Sequence, residues 1–130
     1  MNLTSHIVQR ILKLDPPLTR DLIVQRDLVV PMPDGAELLA DRWAPRHAGA
    51  PLPTALIRTP YGRRGVYGAL IARPLAERGY QVVIQSVRGT FGSGGDFDPM
   101  WQERADGSAT LRSVPTTTGK SAAPQTASLR

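Results

Sequence analysis

Apolar positions along the chain change their period from segment to segment, and each period predicts a different element. Between Ser5 and Leu14, the residues Ile7, Val8, Ile11, Leu12 and Leu14 recur at helical spacing, with Thr4 or Ser5 placed to cap. Asp15-Pro16-Pro17 then stops the helix, because proline lacks the N–H donor and disfavours helical geometry in the residue before it. From Asp21 the texture is that of a strand. Two-residue alternation puts Leu22, Val24, Leu28 and Val30 on one side. Pro33-Asp34-Gly35 is a turn: proline presets φ, aspartate bonds nearby backbone, and glycine accepts positive φ. Ala36 to Trp43 is the return strand, so residues 22–43 form a hairpin, and a Pro- and Gly-rich loop from Ala44 to Pro53 follows it.

Thr54 to Arg58 is a short continuous apolar run, suited to a strand buried on both faces. Residues 66–78 carry Val66, Leu70, Ile71, Leu75 and Ala76 at helical spacing, and Gly79 stands where a helix C-cap belongs. Pro74 conflicts with that helix and predicts a kink or a late start, since an interior proline costs about 3 kcal/mol. Tyr80 to Gln85 is the next buried strand. Hairpin, strand, helix and strand in this order predict a parallel βαβ crossover behind an antiparallel hairpin. The fold class is therefore α/β. Glu103 to Thr110 begins a further helix, with Glu103 and Asp106 at its positive N-terminal end. Leu111 to Arg130 has no aromatic, no acidic residue and no apolar period, and reads as a disordered tail. The predicted organisation is a helix and linker over 1–20, an incomplete α/β domain over 21–110 and the tail over 111–130.

Composition narrows the function classes. The 130 residues suffice for one domain, and 41% hydrophobic content is adequate for a core. The net charge of +5 comes from the tail: without Arg112, Lys120 and Arg130, 13 basic residues face 11 acidic ones. That near-neutral balance argues against a nucleic-acid partner. No run approaches the roughly 20 apolar residues of a membrane span, and the N-terminal residues lack a signal-peptide pattern, so no membrane association and a cytoplasmic location are the expectations. Zero cysteines exclude disulfides and thiolate metal sites.

Four segments carry chemistry together: Val30-Pro31-Met32-Pro33-Asp34-Gly35, Arg58-Thr59-Pro60-Tyr61-Gly62, Leu75 to Gln85, and Val87 to Pro99. In this order and spacing they closely resemble the start of the cocaine esterase / X-Pro dipeptidyl-peptidase (CocE/NonD) family of α/β-hydrolases. That family's "P-M-x-D-G" turn, "R-x-P-Y" strand end, "A-x-x-G-Y-x-V-V" join and "R-G-x-x-x-S-x-G" loop all find a match here. The resemblance covers roughly residues 22–110, and Glu103 and Asp106-Gly107 fit it as well. It implies a serine hydrolase of esters or amides, with small ester or peptide substrates and no cofactor or metal. It also implies that Tyr61 donates its hydroxyl to the oxyanion of the acyl-transfer intermediate, a role that suits a phenol beside a backbone N–H. On position alone, Tyr61 could equally pack its ring beside Pro60.

Other residues read as structural. Arg88 and the glycine-rich loop lack the phosphate-loop pattern, and Arg88 is expected to bridge backbone carbonyls or a carboxylate. Ser86 stands where the family usually has Asp, which puts the usual contacts around Arg88 in doubt. Glu103 and Asp106 read as helix-start charges. His6 and His47 precede the core sheet that begins at Thr54 and are out of order for a triad. Thr117-Thr118-Gly119-Lys120-Ser121 is a phosphate-loop decoy, with Val114 where the first glycine is needed.

The resemblance also implies a nucleophile on a Gly-x-Ser-x-x-Gly elbow a couple of dozen residues past Asp106, followed by an acid and a histidine. The tail contains no such motif, so the expectation is a fragment inactive by itself. Codons for Thr116 to Ala122, read one base earlier, can give Asp-Asp-Asp-Gly-Gln-Val-Gly. The family carries "D-G-x-V-G" at about this place, so the tail resembles a frameshifted reading of a hydrolase gene. In α/β-hydrolases the nucleophile strand pairs beside the third strand, so its absence would expose Thr54 to Arg58 as an aggregating edge. Two alternatives are a small binding module using the glycine-rich loop and one half of a split enzyme that associates with a C-terminal complementing fragment.

Overall fold

The computed structural model describes residues 3–48, 51–98 and 101–114. Helix α1 (Leu3–Leu12) is followed by strands β1 (Leu22–Pro31), β2 (Glu37–Pro45) and β3 (Thr54–Thr59). A π-helical turn (Tyr67–Ala72) runs into the short α2 (Arg73–Ala76), and strand β4 (Gln81–Ser86) and helix α3 (Glu103–Ser113) complete the order. The strands form one mixed sheet in the order β1-β2-β4-β3, antiparallel except for the β3–β4 pair. Hairpin and crossover are thus as the sequence implies. The predicted tail is not: α3 continues through Ser113 and Val114 is buried, while the rest of the tail lies outside the described residues. None of the described helices is long and apolar enough to cross a membrane.

Both faces of the sheet are covered, as continuous apolar strands require. On one face, Leu28, Val30, Met32, Leu38, Ala40 and Val83 pack against Ala109 and Val114 from α3 and the residue after it. On the other, Trp43, Val82 and Ile84 pack against Ala72 and Ala76, with Leu22 and Val24 beside them. Leu22 and Val24 therefore face the opposite way from Leu28 and Val30, contrary to simple alternation. The cause is a β-bulge. The register passes from Gln25↔Arg42 to Leu28↔Ala40, three steps on β1 against two on β2, and one extra residue reverses every later side chain. Asp27 absorbs the irregularity at φ 53°, and its N–H donates to Asp41 Oδ1 at 3.0 Å.

The Pro74 conflict resolves as a π-widened turn inside a continuous helical run, neither a late start nor a break. The π turn closes with the Arg73 N–H donating to the Gly68 carbonyl, and Pro74 falls in the first turn of α2. The widened turn accommodates a residue that cannot donate to the preceding turn. The widened turn also changes which residues face inward. Gly68 and Ala72 are buried while Val66, Leu70 and Ile71 are largely exposed. In α1 the inward positions are Val8 and Ser5, and Ile7, Ile11 and Leu12 face solvent. Ser5 Oγ donates to the buried Glu77 carboxylate, fastening α1 to the crossover.

Candidate active site

Parallel strands β3 and β4 end on the same edge, where open α/β sheets place their sites. Tyr61 leaves β3 at that edge. Its backbone N–H donates to Thr59 Oγ1 at 3.0 Å, and Val87 N–H donates to the Thr59 carbonyl at 3.1 Å. The Tyr61 side chain is 79% exposed. The ring is therefore not buried against Pro60, and the phenol reaches open solvent beside the sheet edge. Gly62 follows at φ 96°, and a Cβ there would stand 3.3 Å from the Phe91 ring. The conformation and the contact both favour glycine, and they press the Tyr61 loop against the loop after β4.

Under these loops lie two guanidinium networks. Arg88 gives two hydrogen bonds to Asp106, at 3.0 and 2.7 Å, and two to Asp34, at 2.8 and 3.4 Å. This confirms the carboxylate-bridging expectation. The Asp106 carboxylate holds the Arg88 guanidinium charged well above its ordinary range. Asp34 is held below the ordinary carboxylate value, first by the Ala36 N–H it accepts at 3.2 Å and then by Arg88. Asp106 is more than a helix-start charge. It is buried, and Arg58 approaches it at 3.7 Å while also pairing with Glu103. Arg58 Nη2 and Gln85 Nε2 have no hydrogen-bond acceptor among the described residues.

The second network centres on Arg63, a residue that sequence reasoning passed over. Arg63 is buried and donates to Asp41 Oδ1 at 3.2 Å, to the Phe91 carbonyl at 2.9 Å, and to Asp27 and Ser86 Oγ. Ser86 therefore serves Arg63, and Arg88 makes its contacts without it. A partial signal existed in the sequence: Asp41-Arg42 interrupts the apolar residues of β2, and Arg63-Arg64 is a basic pair between two glycines. Ser93 is also occupied, donating to the Ser86 carbonyl at 2.8 Å and accepting from Leu39 N–H at 2.9 Å. The glycine-rich loop is a built support, as expected. His47 lies 3.9 Å from Asp21, at the opposite end of β2 from this edge, and His6 sits exposed on α1. The edge thus presents one solvent-facing phenol on a rigid frame. No group of His, Asp or Glu among the described residues could hold a metal ion.

Comparison with known proteins bears on the family and the fold. Residues 34–121 match the family described as X-Pro dipeptidyl-peptidase (S15 family). A cocaine esterase from Rhodococcus sp. (strain MB1 Bresler) is 37% identical over 92 residues, which are 68% of this chain and 16% of that protein. Among solved structures, a CocE/NonD family hydrolase from Staphylococcus aureus superposes with a TM-score of 0.61 at 20% identity, over 73% of this chain and 21% of that one. An aminopeptidase from a marine sediment Thaumarchaeota archaeon gives 0.60 at 21% identity, over 80% and 22%. At those identities the two structures show a shared fold. The chain spans only 16% of the length of the curated relative it matches.

Proposed function

The chain belongs to the X-Pro dipeptidyl-peptidase family, and on that premise we propose that it supplies the frame and one oxyanion donor of a serine hydrolase acting on esters or aminoacyl-proline amides. The observation that carries this reading is Tyr61, solvent-facing at the end of a parallel strand and fixed through Thr59. A phenol so placed can donate to the negative charge that develops on a carbonyl oxygen under attack. Attack itself needs a nucleophile and a base. These 130 residues contain no Gly-x-Ser-x-x-Gly elbow, and the buried serines at the edge are committed to structural hydrogen bonds. By this reading the chain alone is inactive.

The open edge favours part of a larger hydrolase domain over an isolated binding module. Among the described residues β3 pairs only with β4, leaving its other side without a strand. A nucleophile strand, from a complementing polypeptide or from further residues of the same one, would fill that position and bring its serine beside Tyr61. The test is to coexpress residues 1–130 with the C-terminal remainder of a family hydrolase and assay p-nitrophenyl ester and aminoacyl-proline substrates. Activity should require both pieces, and Tyr61→Phe should lower kcat by roughly 100-fold, the usual weight of one oxyanion donor. Restored activity insensitive to Tyr61→Phe would refute the assignment.

A further inference from the structure

A separate cavity lies on the crossover face of the sheet, between α1, β1, β2 and the π turn. Its volume is about 220 Å³, and its lining includes Thr4, Arg26, Trp43, Arg64, Gly68 and Arg73. A single water needs only about 10–15 Å³ by this measure, so the space admits a small polyatomic ion with its hydration. Three arginines and one indole surround it. The Arg26 and Arg73 guanidinium carbons stand 5.4 and 5.3 Å from the Trp43 ring centroid. Trp43 is only 5% exposed, and its Nε1–H has no acceptor among the described residues. A buried N–H without an acceptor is costly and rare.

Charge points the same way. Among the described residues, the carboxylates that Arg26, Arg63 and Arg64 share are Asp27 and Asp41. Arg73 has Glu77 at 3.9 Å, a carboxylate that Arg20 approaches more closely, at 3.5 Å, and that also accepts from Ser5. Guanidinium groups in excess of carboxylates around one cavity form a site that wants oxygen acceptors carrying negative charge. We propose that this cavity binds a small-molecule oxyanion, a phosphate or carboxylate group, held by Arg73 and Arg64 beside the Trp43 ring. Arg63, Arg64 and Gly65 continue directly from the Tyr61 loop, so an occupant would stiffen the segment that carries the phenol. The site stands independently of the hydrolase reading.

The full chain carrying Trp101→Phe leaves Trp43 as the only tryptophan, and Trp101 is 85% exposed, so the background change is mild. Trp43 fluorescence is then titrated with inorganic phosphate and with malonate, against chloride at equal ionic strength. The expected result is saturable change with both anions, a midpoint on the order of 1 mM, and mutual competition. Arg73→Gln should weaken the midpoint about tenfold, the weight of one charged hydrogen bond. Should Arg73→Gln fold poorly, Arg64→Gln, at a side chain 61% exposed, provides the second reading and should weaken it as well. No response beyond chloride overturns the proposal, as does a midpoint unmoved by both substitutions. Binding of an acidic hexapeptide with no response to phosphate or malonate would overturn the small-molecule assignment.

Discussion

Asp106 separates two explanations of the same acid, a helix-start charge or the hub of a buried ion-pair network. Asp106→Asn keeps the shape and removes the charge. Its side chain is 4% exposed, and the Arg88 and Arg58 side chains it serves are each 9% exposed. Removing one partner of a buried pair costs about 3–5 kcal/mol, and because Arg88 keeps Asp34 and Arg58 keeps Glu103 the expected loss is about 2–3 kcal/mol. Glu103→Gln is the control. It sits in the same first helical turn, but its side chain is 41% exposed, so its loss should stay below about 1 kcal/mol. The assay is urea denaturation of both variants followed by far-UV circular dichroism. With slopes of about 1–3 kcal/mol per molar, Asp106→Asn should lower the midpoint by roughly 1–2 M, against a few tenths for Glu103→Gln. Equal shifts for the two variants would mean that only the helix end matters and that the buried network contributes nothing.

Two further outcomes follow from geometry. Gly89 has φ +73°, and a Cβ there would stand 2.4 Å from Phe97 N and 2.9 Å from the Asp96 carbonyl carbon. Gly89→Ala should therefore cost well over the about 1–2 kcal/mol of left-handed backbone alone, read as a thermal or urea shift. An effect as small as that penalty would show that the loop yields freely. Asp34 supplies a pH signature. Its carboxyl is depressed in the folded state, so its stabilisation is present above the ordinary value of 3.8 and is lost as pH falls through the lower folded value. Tm should decline on acidification below about pH 4, and Asp34→Asn should flatten part of that decline; an unchanged profile would remove Asp34 from the account.

What could be read from the sequence was whatever local period and turn chemistry determine. The hairpin turn at Pro33-Asp34-Gly35, the paired apolar runs of β3 and β4, and the glycine after the crossover all announce themselves within a few residues. The bulge does not, because its cause is Asp41 on the neighbouring strand accepting from the Asp27 N–H. Alternation was sound on either side of it and wrong across it. Pro74 signalled a conflict whose solution, a π turn, depends on how the crossover seats on Trp43, where a Gly68 Cβ would stand 3.0 Å from the indole. At the site, the family resemblance singled out Tyr61, and the absence of a phosphate-loop pattern pointed Arg88 to a bridging role. Arg63 and Asp41 escaped notice because their meaning lies in partners up to 28 residues apart in sequence, as in the Arg63–Phe91 hydrogen bond. Long-range pairing of charges is invisible to any local window.

The central claim is that these residues provide a frame and an oxyanion donor without a reactive serine. A fluorophosphonate probe applied to the purified 130-residue chain tests it directly, since only an activated serine reacts stoichiometrically at one position. Intact-mass spectrometry should find the chain unmodified. A single stoichiometric adduct, mapped to one serine and abolished by its replacement with alanine, would contradict the account.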